Sequence, residues 1–198
     1  MSLQRPTCLA TAILVSLTML GACASRFSSA TSRHERLVED FRERIGQYMD
    51  LREDAVEDTD SLQSTSDPTR LTAEREALRA EIRRRRATAR QGALFTSETR
   101  SLIRELLAPV LDGERGEDVR FRLNDDAPDI NAVSLEVNAR YPAGLPFPTT
   151  PWPILATLPQ LPMGLSYRFV ERDLMVLDQP ADLIVDYMRN ALPRTPAP

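Results

Sequence analysis

The sequence predicts an α+β protein, with a helical N-terminal part followed by a small, mainly antiparallel sheet. Apolar residues recur every three or four positions over residues 33–111, which is typical of amphipathic helices. From residue 117 to residue 178 apolar and polar residues alternate in several segments, which is typical of half-buried strands. We therefore expect a helical hairpin and a third helix to pack on this sheet, with residues 33–192 forming one domain.

Capping residues and helix breakers predict where the three helices begin and end. The first helix is expected over residues 33–56, before a polar turn. Asp67 and Pro68 begin the second helix, because Asp caps well and Pro suits the first helical position, and Gly92 ends it. Thr96 caps the third helix.

The first two helices carry opposite charge. Residues 35–62 contain ten acidic residues and four arginines, whereas residues 70–104 contain ten arginines and four acidic residues. This contrast favours an antiparallel hairpin, although an exposed ion pair contributes only about 0–1 kcal/mol. Residues 83–86, four consecutive arginines, are expected to form a solvated face that partly meets the acidic helix. Contact with an anionic polymer or lipid phosphates is the alternative.

The β-rich region, residues 117–192, is expected to contain three strand segments and a proline-rich wrap. The segments are residues 119–123, 133–137 and 167–177, the last being a hairpin that turns at residues 171–173. Seven prolines between residues 141 and 165 exclude helix interiors and central strands, apart from one helical turn at 154–158. Residues 181–192 suit either a final helix or a strand.

The first 25 residues have the pattern of a secretory signal. An apolar run from Cys8 to Leu20 is too short to cross a bilayer core, which needs about 20 residues, but it fits a signal peptide. The run ends in LGAC at residues 20–23, which resembles the lipobox of bacterial lipoproteins. We expect residues 1–22 to be a lipoprotein signal peptide and Cys23 to become the acylated N-terminus. An ordinary signal peptide and an uncleaved anchor are the alternatives.

The residues after Cys23 bear on location. Residues 23–32 are rich in serine and are expected to form a flexible tether. Two or three acyl chains on Cys23 hold a protein stably at a membrane, whereas one holds it marginally. In lipoproteins, an Asp directly after the lipidated cysteine resembles a retention signal for the inner membrane, and this chain has Ala24 at that position. We therefore expect the periplasmic face of the outer membrane.

The chain offers few candidates for catalysis. All 25 basic residues are arginine, His34 is the single histidine, and no thiol remains once Cys23 is acylated. Lysine, thiolate and paired-histidine chemistry are thereby excluded, and we expect no cofactor and no metal. A carboxylate pair remains as the basis for an envelope-polymer hydrolase, which is the alternative function. Its candidate residues are Asp125, Asp126, Asp178, Asp182 and Asp186.

Three residues are candidates for a partner surface: Trp152, Arg168 and Arg172. Trp152 could form an apolar groove with Phe147, Tyr141 and the prolines, or simply cover the open face of the sheet. Arg168 alternates with two aromatic residues, so a strand would direct the aromatics toward the helices and the guanidinium outward.

Several segments together resemble a family of uncharacterised exported bacterial lipoproteins. They are VNARYP (137–142), LPQLP (158–162), LSYRFV (165–170), RDL (172–174), ADLIVD (181–186), YMDLR (48–52) and RQGALF (90–95). The family has no assigned activity, so the resemblance implies no chemistry. The chain departs from it at Glu171, where members tend to have Gly, and near Met163, where members tend to have an acidic residue.

We therefore expect a membrane-tethered, non-catalytic module of the cell envelope. The lipid on Cys23 would fix it at a surface, and the domain would present a rigid face to an envelope protein or polymer. The net charge of −4 implies no nucleic-acid partner.

Overall fold

The computed structural model describes residues 18–59, 66–125, 133–142, 144–145 and 149–193. These residues form five α-helices and a three-stranded antiparallel sheet, which confirms the predicted α+β fold. The helices are α1 (Thr18–Thr59), α2 (Pro68–Arg85), α3 (Ser97–Leu107), α4 (Gly113–Asp125) and α5 (Trp152–Leu155), and the strands are β1 (Leu165–Val170), β2 (Asp173–Asp178) and β3 (Leu183–Met188). The chain divides into two compact units, Met1–Leu37 and Val38–Pro198, and the packing described below lies in the second.

Helix α1 begins at Thr18, well before the predicted start at residue 33. Residues 24–32, expected to be part of a flexible tether, are therefore helical in the structure, which corrects their predicted conformation. After Gly21 this segment contains neither glycine nor proline, and its Ala, Ser and Arg residues are compatible with a helix. Residues 1–17, most of the predicted signal peptide, lie outside the described residues.

Both predicted helix caps are present. The Asp67 side chain accepts a hydrogen bond from the Thr69 N–H at 2.9 Å, and Pro68 is the first residue of α2. The Thr96 hydroxyl accepts one from the Thr99 N–H at 3.2 Å at the start of α3. Each cap satisfies a backbone donor that the helix itself leaves without a partner.

Helix α2 ends at Arg85 rather than at Gly92, so the predicted end is wrong. The reason is tertiary, because the next residue, Arg86, is buried against the sheet. Its guanidinium donates to the Asn138 side-chain oxygen at 2.7 Å and to the Val185 carbonyl at 3.0 Å. Gly92 instead provides a left-handed turn, with φ of 95°, in the loop that leads to α3.

The opposite charges of α1 and α2 meet through one arginine of the described residues. Arg85 lies 3.2 Å from Asp54 and 2.5 Å from Asp58. Its neighbours Arg83 and Arg84 are exposed, whereas Arg86 is buried. The run of four arginines therefore divides between solvent, the acidic helix and the sheet.

The segment predicted as the first strand belongs to helix α4. Val119 and Leu123, four residues apart, are buried, while Phe121 between them is 69% exposed. An alternation of only three apolar residues fits both periods, because positions i and i+4 share a face in a helix as well as in a strand.

A 3-10 turn precedes α4 and brings the Leu111 backbone so close to Gly116 that no side chain would fit there.

Residues 133–137, predicted as the second strand, adopt no regular secondary structure. Val133 and Leu135 are nevertheless buried, against the sheet face that points away from the helices. Residues 138–141 then run beside β3 with backbone hydrogen bonds and one isolated bridge. The sheet is therefore confined to residues 165–188, rather than 117–178, and its outer face is covered.

The predicted hairpin is confirmed, since β1 and β2 pair in register around the turn at Glu171. Glu171 has φ of 51°, a left-handed conformation that favours glycine. Residues 181–192, left open between helix and strand, supply β3, which completes the order β1-β2-β3.

The two faces of the sheet bury different partners. Tyr167 and Phe169 of β1 belong to the core shared with the helices, as predicted from their alternation with Arg168. Met175 and Leu177 of β2 face the other way, into a smaller core closed by residues 133–141. All six residues of β2 are buried. Arg168 of β1 lies on the same face of the sheet as Met175 and Leu177, and it is half-buried rather than open to solvent.

Candidate interaction surface

The structure brings two of the predicted partner residues to one groove. Trp152 is the first residue of α5, and Arg168 lies on β1, the edge strand of the sheet. Both line a groove of about 470 Å³, which we call the Trp152 groove. Its walls are α5 with the adjoining residues 156 and 158–161, and residues 165–168 of β1.

Three contacts hold the walls of the Trp152 groove in place. Ile154 is completely buried and anchors α5, the helical turn predicted two residues later in the chain. The Thr150 hydroxyl donates to the Tyr167 carbonyl at 2.8 Å, which fixes the chain before α5 to the sheet edge. The buried Tyr167 hydroxyl donates to the Pro159 carbonyl at 2.9 Å and fixes the chain after α5 to the same strand. The groove is therefore formed by ordered elements.

The surface of the groove is apolar at its rim and polar along β1. Trp152 is 75% exposed and Leu155 is 39% exposed. Within the described part of the chain, the Ser166 hydroxyl and Arg168 Nε are buried without a hydrogen-bond partner, although Arg168 Nη1 donates to the Tyr167 carbonyl at 2.9 Å. Burial lowers the pKa of Arg168. Buried polar groups are rarely left without partners, so these two atoms are an unusual feature of the strand that lines the groove.

Arg172, the third predicted partner residue, lies outside this groove. Its Nε and Nη2 donate to the Leu192 carbonyl at 3.1 and 2.8 Å, and the Leu192 N–H donates to the Arg172 carbonyl at 3.1 Å. These bonds fasten the segment after β3 to the hairpin turn. Arg172 therefore has a structural role at the hairpin turn, and its assignment to the partner surface stays a prediction.

The other two aromatic candidates do not join Trp152 in the described structure. Tyr141 is buried in the second core, and Phe147 lies outside the described residues. Sequence reasoning missed Leu155 and Ser166. Ser166 carried a signal, because it alternates with Arg168 on the polar side of β1.

Cys23, the predicted site of lipidation, lies on α1, in the first compact unit.

Asp178, a candidate for acid–base chemistry, is completely buried and bonded to α1. The Tyr48 hydroxyl donates to Asp178 Oδ2 at 2.7 Å, and Arg52 Nε donates to the same oxygen at 2.8 Å. Burial, followed by the charge of Asp178, raises the pKa of Tyr48 well above its usual value. Asp178 thus joins the end of β2 to α1.

Asp186 is also completely buried, and it holds the loop between α2 and α3. Its Oδ2 accepts the N–H groups of Leu94 and Phe95 at 2.7 and 2.9 Å, and Oδ1 accepts that of Gly92 at 3.1 Å. The irregular register between β2 and β3 leaves Val185 unpaired, a bulge that places Asp186 on the same side of the sheet as Val185. Asp182 directly precedes β3 and Asp186 lies within it, so strand geometry decides where these two candidate carboxylates lie.

The remaining candidates for chemistry are dispersed. Asp125 is the last residue of α4, Asp126 lies outside the described residues, and His34 is on α1. In the described ranges, no group of three or more His, Cys, Asp or Glu side chains is placed to hold a metal ion. None of the helices, as far as they are described, is long and apolar enough to cross a membrane.

The fold and the groove thus define an α+β protein with a helical layer, a three-stranded sheet and an aromatic-rimmed groove at the sheet edge. In comparisons with known proteins, no family model matches the chain, and no curated protein or solved structure matches it significantly.

Proposed function

We propose that the chain is a lipid-anchored, non-catalytic interaction module of the cell envelope, and that the Trp152 groove binds its partner. The observation that supports this most is the combination of a 75% exposed Trp152 with buried groups of Ser166 and Arg168 that have no hydrogen-bond partner among the described residues. Exposed tryptophan beside arginine is typical of the residues that contribute most to protein interfaces.

The chemistry of the groove indicates what the partner offers. An apolar group would pack on Trp152 and Leu155, while a carbonyl or carboxylate oxygen would accept from the Arg168 guanidinium. An extended segment of an envelope protein has both features. The proposed location is the periplasmic face of the outer membrane, where acyl chains on Cys23 would keep the module close to such partners.

The groove is tested by replacing Trp152 with alanine and crosslinking intact cells. We expect Trp152→Ala to lose most partner crosslinks without a change in melting temperature, because the side chain projects into solvent. Phe121→Ala is the matched control, since Phe121 is similarly exposed, at 69%, but does not line the groove. Mass spectrometry of the crosslinked products provides the measurement. Equal crosslinking by Trp152→Ala and the wild-type protein would place the partner elsewhere.

The anchor is tested separately at Cys23. We expect Cys23→Ser to appear in soluble fractions or to accumulate as an unprocessed precursor, because the acceptor thiol is lost. Metabolic labelling with a palmitate analogue, followed by fractionation, measures this. If neither the wild-type protein nor the variant takes up label and both fractionate alike, the lipid anchor is wrong.

A further inference from the structure

Another pocket, separate from the Trp152 groove, contains three arginines. It has a volume of about 280 Å³ and lies between α2 and residues 140–142 and 144–145, beside the turn that precedes β3. Arg75 and Arg79 enter it from α2, and Arg140 enters from the segment that runs beside β3. Asp182 lines the same pocket. We call this the arginine pocket.

The positive charges in the arginine pocket are only loosely compensated. Asp182 Oδ2 lies 3.8 Å from Arg75 Nη1 and 3.9 Å from Arg79 Nη1, and Glu76 Oε1 lies 3.9 Å from Arg140 Nη1. All three separations exceed the 2.7–3.2 Å range of an N–H···O hydrogen bond. Three guanidinium groups thus share two carboxylates without a hydrogen bond to either. The N–H groups of Arg75 and Arg140, and those of Arg79 other than the one that donates to the Ala181 carbonyl, remain available to an incoming anion.

Arg79 and Arg140 also oppose each other. The Arg79 side chain is 8% exposed, and burial followed by the charge of Arg140 lowers its pKa. Arg79 stays in this position because Nη1 donates to the Ala181 carbonyl at 2.9 Å. An anion between the two guanidinium groups would relieve this repulsion, and the protein already holds the groups in place.

Ordered elements supply the site. The Tyr141 N–H donates to the Asp182 carbonyl at 2.9 Å, and Arg140 forms a bridge with Leu183 of β3. Beyond the arginines, the walls include the apolar Leu145 and Thr72, whose hydroxyl donates to the Pro68 carbonyl at 2.9 Å. The space is larger than one phosphate group needs and leaves room for a small organic substituent.

We propose that the arginine pocket binds the phosphate group of a phosphate monoester. Guanidinium groups pair with phosphate oxygens through two parallel hydrogen bonds, and a dianion compensates the excess positive charge better than a carboxylate does. The ester reaches the pocket either as a small soluble molecule or as a lipid headgroup. This site is independent of the Trp152 groove and of the lipid anchor.

Titration calorimetry with the full chain tests the proposal. The probes are glycerol 3-phosphate, inorganic phosphate, glycerate, and phosphatidylcholine vesicles with and without phosphatidic acid. We expect Arg75→Gln combined with Arg140→Gln to weaken phosphate binding by about tenfold or more, through loss of charge-assisted contacts. Arg79 is left unchanged because its burial makes a folding defect a risk. The matched control is Arg83→Gln with Arg84→Gln, which removes the same charge from exposed positions of α2.

The probes distinguish a soluble ester from a lipid headgroup, and the two double variants test the site itself. Stronger binding of glycerol 3-phosphate than of vesicles that contain phosphatidic acid identifies a soluble ester as the ligand. Binding only to vesicles that contain phosphatidic acid identifies a lipid headgroup. Both outcomes support the site if the control variant binds normally. The proposal is overturned if no phosphate probe binds, if the two double variants lose affinity equally, or if glycerate binds as tightly as glycerol 3-phosphate.

Discussion

Replacement of Asp186 with asparagine is expected to lower the free energy of unfolding by about 2–6 kcal/mol, because two buried or partly buried N–H groups would each lose an acceptor worth about 1–3 kcal/mol. Both oxygens of Asp186 accept two backbone donors. Oδ2 accepts from Leu94 and Phe95, and Oδ1 accepts from Gly92 and Tyr187. An asparagine places its NH2 group against one of these pairs, whichever way the amide is turned.

Urea unfolding followed by circular dichroism measures the effect. Asp54→Asn is the matched control, because it makes the same chemical change at a side chain that is 66% exposed and paired with Arg85. That control should change stability by about 0–1 kcal/mol. If the two variants unfold at the same urea concentration, Asp186 does not fasten the loop between α2 and α3 to the sheet.

Replacement of Phe169 with alanine is expected to cost about 3–5 kcal/mol, the usual effect of removing a buried phenylalanine. Phe169 is 2% exposed and lies in the core that joins β1 to the helices. Typical domains have only about 5–15 kcal/mol of total stability, so the variant should accumulate poorly and be cleaved readily by proteases.

Arg168→Ala on the same strand separates folding from binding. Arg168 is half-buried at the groove and makes one hydrogen bond, to the carbonyl of its neighbour Tyr167. We expect this variant to keep a melting temperature near that of the wild-type protein and to lose partner crosslinks. A variant that unfolds at Arg168 while Phe169→Ala melts normally would mean that the two faces of β1 are assigned the wrong way round.

The distinctive short motifs of the sequence contribute many of the buried polar contacts. Tyr48 and Arg52 bind Asp178, and the loop that contains Gly92 binds Asp186. Asn138 and Arg86 exchange hydrogen bonds of 2.7 and 2.9 Å. A set of residues that looks distinctive in the sequence can therefore specify how layers join rather than a chemical reaction.

The groove was only partly predictable. Trp152 and Arg168 were identified from residue type, since an exposed aromatic residue and an outward arginine are both unusual in their surroundings. Their proximity was not, because α5 and β1 are brought together by Thr150 and by the Tyr167 hydroxyl. The same limit applies to Arg172, whose partner, the Leu192 carbonyl, is distant in sequence.

Features decided within a few residues could be determined from the sequence alone. The Asp67 and Thr96 caps depend on local backbone groups, so the residue types themselves specify them. The alternation of β1 was long enough to assign its two faces.

Tertiary contacts decided those features for which the local sequence favours two structures about equally. Val119 and Leu123 satisfy a strand and a helix equally well, and only the core they bury into makes this segment α4. In the same way, the sequence alone suggests that Asp186 is a free carboxylate. In the structure, the bulge at Val185 directs its side chain toward backbone N–H donors that are distant in sequence. The reason is that burial and hydrogen bonding act between residues distant in sequence, and their free energies outweigh the small differences in local preference.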